Sequence, residues 1–90
     1  MSKLYLLSFD PHKSDAVSLH RIIKESDMVD NWSHYLASSY VLKSKASATE
    51  ISDYIVSRWP KNRFFIAEIS SENRNGWMPM KMWDWLRRHK

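Results

Sequence analysis

The 90-residue sequence contains no cysteine. Disulfides and thiolate metal sites are therefore excluded as sources of stability, and the chain fits a reducing, cytoplasmic setting. Glycine is almost as scarce: Gly76 is the only one. A lone glycine cannot build the loop that cradles nucleotide phosphates, so P-loop and dinucleotide-binding fingerprints are excluded. Long apolar runs are missing too. No stretch approaches the roughly 20 apolar residues that cross a bilayer, and no membrane partner is expected. The opening MSKLYLLSFD has one lysine, and Asp10 cuts its apolar run too short for a secretory leader. The four histidines form no HxxxH or HExxH pair, and His20 and His89 have no zinc-binding spacing with the others. Without repeats, low-complexity tracts or long linkers, residues 1–90 read as a single domain.

What the chain does have is apolar and aromatic mass. Hydrophobic residues make up 43% of it and five are tryptophan. A large aromatic buries roughly 150–250 Å², so a small number of elements can close a core without staples. The net charge is +4 and the pI about 9.5, which mildly favours a polyanionic partner without deciding it.

Leu4 to Phe9 is an apolar run ended by Asp10-Pro11 and reads as a buried strand. Leu4 and Leu6 lie on one of its faces, and Tyr5, Leu7 and Phe9 on the other. Ser14 is a suitable N-cap for a helix carrying Leu19, Ile22 and Ile23 and ending near Ser26–Asp27. NWSHYLASSYVLKS reads as two strands, about 32–37 and 39–44, joined tightly or through a bulge, or else as one long bent strand. Ser47 and Glu50 form a capping box ahead of Ile51, Tyr54, Ile55 and Trp59, and Pro60 stops that helix. RFFIAEI, residues 63–69, is a further strand, apolar on both faces. A last helix over about 79–88 places Met80, Trp83 and Leu86 on one face with Met82 beside them, and Asp84 at pairing distance from Arg88.

The order β-α-β-β-α-β plus a C-terminal helix predicts an α+β, ferredoxin-like antiparallel sheet. Both crossing helices would then cover one sheet face. The apolar character of the other face predicts a second cover, either the tryptophan-rich C-terminal segment or a second copy of the chain.

Four segments resemble a known group: SFDPHKSD, NWSHYLASSYVLKS, RFFIAEIS and the closing GWMPMKMWDWLRRH. They are similar to small bacterial and phage proteins often labelled SinR-like, within the superfamily of CRISPR-associated adaptation endonucleases and VapD toxins. The resemblance spans nearly the whole chain. Its most specific pieces are the aromatic-His-aromatic strand and the Gly-Trp-x-Pro…Trp-x-Trp-Leu ending. It implies a ferredoxin-like fold and face-to-face homodimers. It also implies an acid at the end of the first strand, one per subunit, helping to hold a divalent ion such as Mg²⁺ at the dimer axis. Asp10 is the matching position. In the SinR-like group an acid often follows the His-aromatic-Leu run, and here that residue is Ala37.

Two candidate sites follow. Asp10 would act as metal ligand or general base, with His12 beyond it donating to a phosphate or shuttling a proton. The structural alternative makes Asp-Pro a turn starter and His12 a solvated loop residue. Lys43, Lys45, Arg58, Lys61 and Arg63 would track a nucleic-acid backbone, with Tyr40 or Trp59 as a stacking plane. The alternative is a solvated rim with Trp59 in the core. His34, expected to share a strand face with Trp32 and Leu36, reads as a packed histidine with a hydrogen-bond partner. Arg87, Arg88, His89 and Lys90 suit the negative end of a helix dipole and need no ligand.

Two functions are consistent with these residues. One is a dimeric nucleic-acid-associated protein, in its cutting form a metal-dependent endoribonuclease using Asp10 from each subunit. The other is a catalytically inactive binding module, an inhibitor, regulator or toxin–antitoxin component working through protein–protein contacts.

Overall fold

Four strands and three helices succeed one another in the computed structural model, which describes residues 2–11, 15–70 and 72–89. They are β1 (Lys3–Phe9), α1 (Ala16–Glu25), β2 (Val29–Leu36), β3 (Ser39–Ser44), α2 (Ala48–Arg58), β4 (Phe64–Glu68) and α3 (Met80–His89). The sheet order is β2-β3-β1-β4 with every neighbouring pair antiparallel. The fold is α+β and ferredoxin-like, with an added C-terminal helix.

Local chemistry sets the helix ends. Ser47 and Glu50 close a reciprocal capping box, with N–O distances of 3.0 and 3.1 Å. Trp59 caps the other end of α2 by donating its backbone N–H to the Ile55 carbonyl at 2.8 Å. The expected cap of α1, Ser14, lies outside the described residues. Asp15 takes the role, its carboxylate accepting from the Ser18 backbone N–H. A carboxylate at this position also complements the positive end of the helix dipole.

Strand alternation divides the core in two. Tyr5, Leu7, Phe9, Tyr40 and Leu42 face α1 and α2, burying Leu19, Ile23, Ile51, Ile55 and Trp59. Leu4 and Val41 point the other way and pack against Met82, Trp85 and Leu86 of α3. The C-terminal helix, one of the two expected covers, packs on this face over Leu4 and Val41. Buried Ser33 of β2 donates its hydroxyl to the Met82 sulfur at 3.1 Å, tying helix to sheet.

Three details differ from expectation. The inward stripe of α3 is Met82, Trp85 and Leu86, while Met80 is 69% exposed and Trp83 half-buried. Apolar residues surround much of this helix, so the sheet selects among stripes that spacing leaves open. Asp84 pairs with Arg87 one turn away, not with Arg88. Finally, the β2–β3 register shifts between Ser33 and Leu36. Trp32 and His34 face α1, whereas Leu36 crosses to the α3 side.

Candidate functional site

Asp10 stands one residue past β1, half-buried, at the end of a central strand. His12 lies outside the described residues. Among the described residues, no three His, Cys, Asp or Glu side chains come together in a way that could hold a metal ion. Mg²⁺ commonly takes one or two carboxylates and fills its remaining positions with water and substrate phosphate. One chain supplies a single candidate carboxylate at Asp10, so the residues fit such an ion only with a second copy present.

Near this end of the sheet, aromatic rings pack into a chain. His34 stacks on Tyr40 and donates from Nδ1 to the Ser39 carbonyl at 2.8 Å. The Tyr40 hydroxyl lies 2.8 Å from His20 Nδ1. Trp32 meets the His20 ring edge-on, and Trp59 meets Phe9 in the same way. His34 thus has the expected hydrogen-bond partner and one stacked face but is exposed rather than buried, and burial pushes the Tyr40 phenol pKa above its ordinary value.

The five candidate basic residues do not form one patch. Lys43 pairs with Leu4 near the start of β1, and Lys45 follows just after β3. Arg63 immediately precedes Phe64, which pairs with Phe9 at the far end of β1. Five residues of strand, about 16 Å, separate those rows. Arg58 and Lys61 belong to the Arg63 end, with Arg58 folded over the Tyr54 ring at 3.8 Å. The proposed stacking planes are also unavailable, because Tyr40 and Trp59 are 2% and 3% exposed. A ladder register joins residues far apart in sequence, so charge spacing along the chain does not reveal this separation.

A different surface stands out. Trp77 is 99% exposed, in the segment leading into α3. Beside it an open trough of about 590 Å³ is lined by Met78, Pro79, Met80 and Trp83. Met78 and Trp83 also line a smaller groove of about 170 Å³, with Leu6, Leu36 and Val41 from the sheet. Arg74 lines this groove as well, and its buried Nη1 has no hydrogen-bond partner. Past the cover of α3, the row Leu36–Ser39–Ser8–Phe65 crosses the sheet, with Leu36 43% and Phe65 69% exposed. Exposed apolar surface of this kind is informative, because isolated domains seldom leave large side chains contiguous in water. The sequence signal for it was the tryptophan between Gly76 and Pro79, which helical periodicity does not account for.

Comparison with protein-family models, with curated proteins and with solved structures gives no match to this chain.

Proposed function

We propose that the protein is a homodimeric binding module of the cytoplasm, its two copies meeting through the apolar surface that α3 and the uncovered sheet rows share. The observation that carries this is a projection and a groove on one surface: fully exposed Trp77 lines a trough that shares Met78 and Trp83 with the groove walled by Leu6, Leu36 and Val41. A two-fold axis pairs a patch with itself, so a projection next to a groove is self-complementary. The groove is below the roughly 300–1,000 Å³ of small-molecule sites and on the scale of one aromatic side chain. An indole entering it would meet the Arg74 guanidinium, a cation–π contact of about 0.5–2 kcal/mol. At roughly 150–250 Å² per large aromatic, Trp77 and Phe65 supply a substantial part of the roughly 800 Å² per partner of a standard interface. Such a dimer would serve as a regulator, inhibitor or toxin–antitoxin component. Sedimentation velocity tests it: the wild type should sediment as a dimer and Trp77→Ser as a folded monomer.

A second reading is favoured by the position of Asp10. It follows the central strand beside the exposed Ser8–Phe65 row, so pairing across this face would draw two copies of it toward the axis. Paired carboxylates could hold Mg²⁺, which would polarise a phosphodiester and activate water. This is the metal-dependent nuclease that the resemblance to the adaptation-endonuclease and VapD superfamily implies.

A further inference from the structure

Cations crowd the opposite end of the α3-covered face. Lys43 stands in the row between Asn31 and Leu4, half-buried on the side where the last turn of α3 packs. Arg88 and His89 occupy that turn. Among the described residues neither Lys43 nor Arg88 has an ion-pair partner, the pair on this helix being Arg87–Asp84. The carbonyl end of α3 offers about half an elementary negative charge, too little to balance two full positive ones.

The hydrogen bonds around Asn31 assign the state of His89. Asn31 Oδ1 accepts from the Trp32 backbone N–H at 2.8 Å and from the Trp85 indole N–H at 3.4 Å. Its amide nitrogen therefore faces His89 Nε2, 3.4 Å away. An amide N–H only donates, so Nε2 must accept, and the neutral ring carries its proton on Nδ1. That Nδ1 is buried and has no partner. Among the described residues the cluster is rich in donors and positive charge, and no carboxylate pairs with it.

We propose that Lys43 and Arg88 hold a phosphoryl-type oxyanion at this end of α3, with His89 as its sensor. The oxyanion is either a free phosphate ester or a phosphodiester of a nucleic-acid strand. Burial, then Lys43, then Arg88 hold the His89 pKa below its ordinary value. A bound anion offsets the two cations and favours the imidazolium. Protonated Nε2 would face the Asn31 amide donor to donor, so the link between α3 and β2 opens and the Trp85 indole loses its fixed neighbour. Among the described residues, the groups in contact with His89 are uncharged: Asn31 from β2 and Trp85 from α3. Asp30, next to Asn31, is exposed and forms no ion pair with the cluster. By linkage, anion affinity rises as pH falls through the His89 titration.

Imidazole NMR of the full chain tests this. The probes are sulfate, which does not itself titrate between about pH 5 and 8 where histidine does, and a ten-nucleotide oligothymidylate. The His89 midpoint should move upward with at least one probe, while those of His20 and His34 stay in place. Sulfate acting alone identifies a free phosphate-ester site, and a response to the oligonucleotide identifies a nucleic-acid backbone. Lys43→Gln and Arg88→Gln should each weaken binding about tenfold, as loss of one charge-assisted contact does. Lys61→Gln, at the far end of the sheet, should change it less than about twofold, as a screened distant charge does. An unmoved His89 midpoint with both probes overturns the proposal. So does an equal loss of affinity in Lys43→Gln and Lys61→Gln, the mark of diffuse attraction.

Discussion

The imidazole of His34 lies flat on the phenol ring of Tyr40, centroids 4.0 Å apart and planes 6° from parallel. Adjacent strands thereby lock together, and the Tyr40 hydroxyl carries the connection on to His20 of α1. Removing that hydroxyl in Tyr40→Phe keeps the stack but leaves His20 Nδ1 without its partner. A loss of about 0.5–1.5 kcal/mol is expected, measured by urea unfolding, with His20 and not His34 showing the larger NMR change.

Ionisation should bound the stability on both sides. Burial raises the Tyr40 pKa in the fold, so its contribution is full below the unfolded value, about 10, and disappears as pH rises through the folded one. Hydrogen bonds from the Ser18 side chain and backbone lower the Asp15 pKa, and those from the Ser47 backbone and side chain lower that of Glu50. Their contribution is present above the ordinary carboxylate range and is lost as pH falls through the lowered values. Thermal melts across pH should therefore drop at both ends. Asp15→Asn with Glu50→Gln should flatten the acid limb.

Two tryptophans of the C-terminal segment should behave in opposite ways. Trp85 is buried between α3 and the sheet, and Trp85→Ala should cost about 3–5 kcal/mol. Trp77 is exposed on the single chain, so at protein concentrations too low for dimers Trp77→Ser should alter stability by less than about 0.5 kcal/mol. Comparable destabilisation in the two would contradict the placement of Trp77.

Asp10 separates the nuclease from the binding module. With Mg²⁺ present, RNA and DNA cleavage by the wild type and its loss in Asp10→Asn would support the paired-carboxylate site. Equal activity in the two proteins, with or without Mg²⁺, would rule out a catalytic role for Asp10.

Features governed by near neighbours were legible in the sequence. The Ser47–Glu50 capping box, the helix stop at Trp59-Pro60 and the strand apolar on both faces all depend on residues a few positions apart. Leu4 and Leu6 opposite Tyr5 and Leu7 already required two layers of cover. Features set across the sheet were not legible. A register shift in β2 sends Leu36 away from the face of His34, since a one-residue slip inverts side-chain direction. The basic candidates scattered for a related reason, because pairing Lys43 with Leu4 and Phe64 with Phe9 puts them at opposite ends of β1. Exposure of Trp77 was hidden because an aromatic-rich segment reads as core until its cover is known.

The proposed dimer rests on Trp77 of one copy filling the groove of the other. Isotope-filtered NOE measurements on a mixture of labelled and unlabelled chains address it most directly. Intermolecular contacts are expected from the Trp77 indole to the methyl groups of Leu6, Leu36 and Val41. A protein that stays monomeric at NMR concentration, or a dimer in which those contacts are missing, would contradict it.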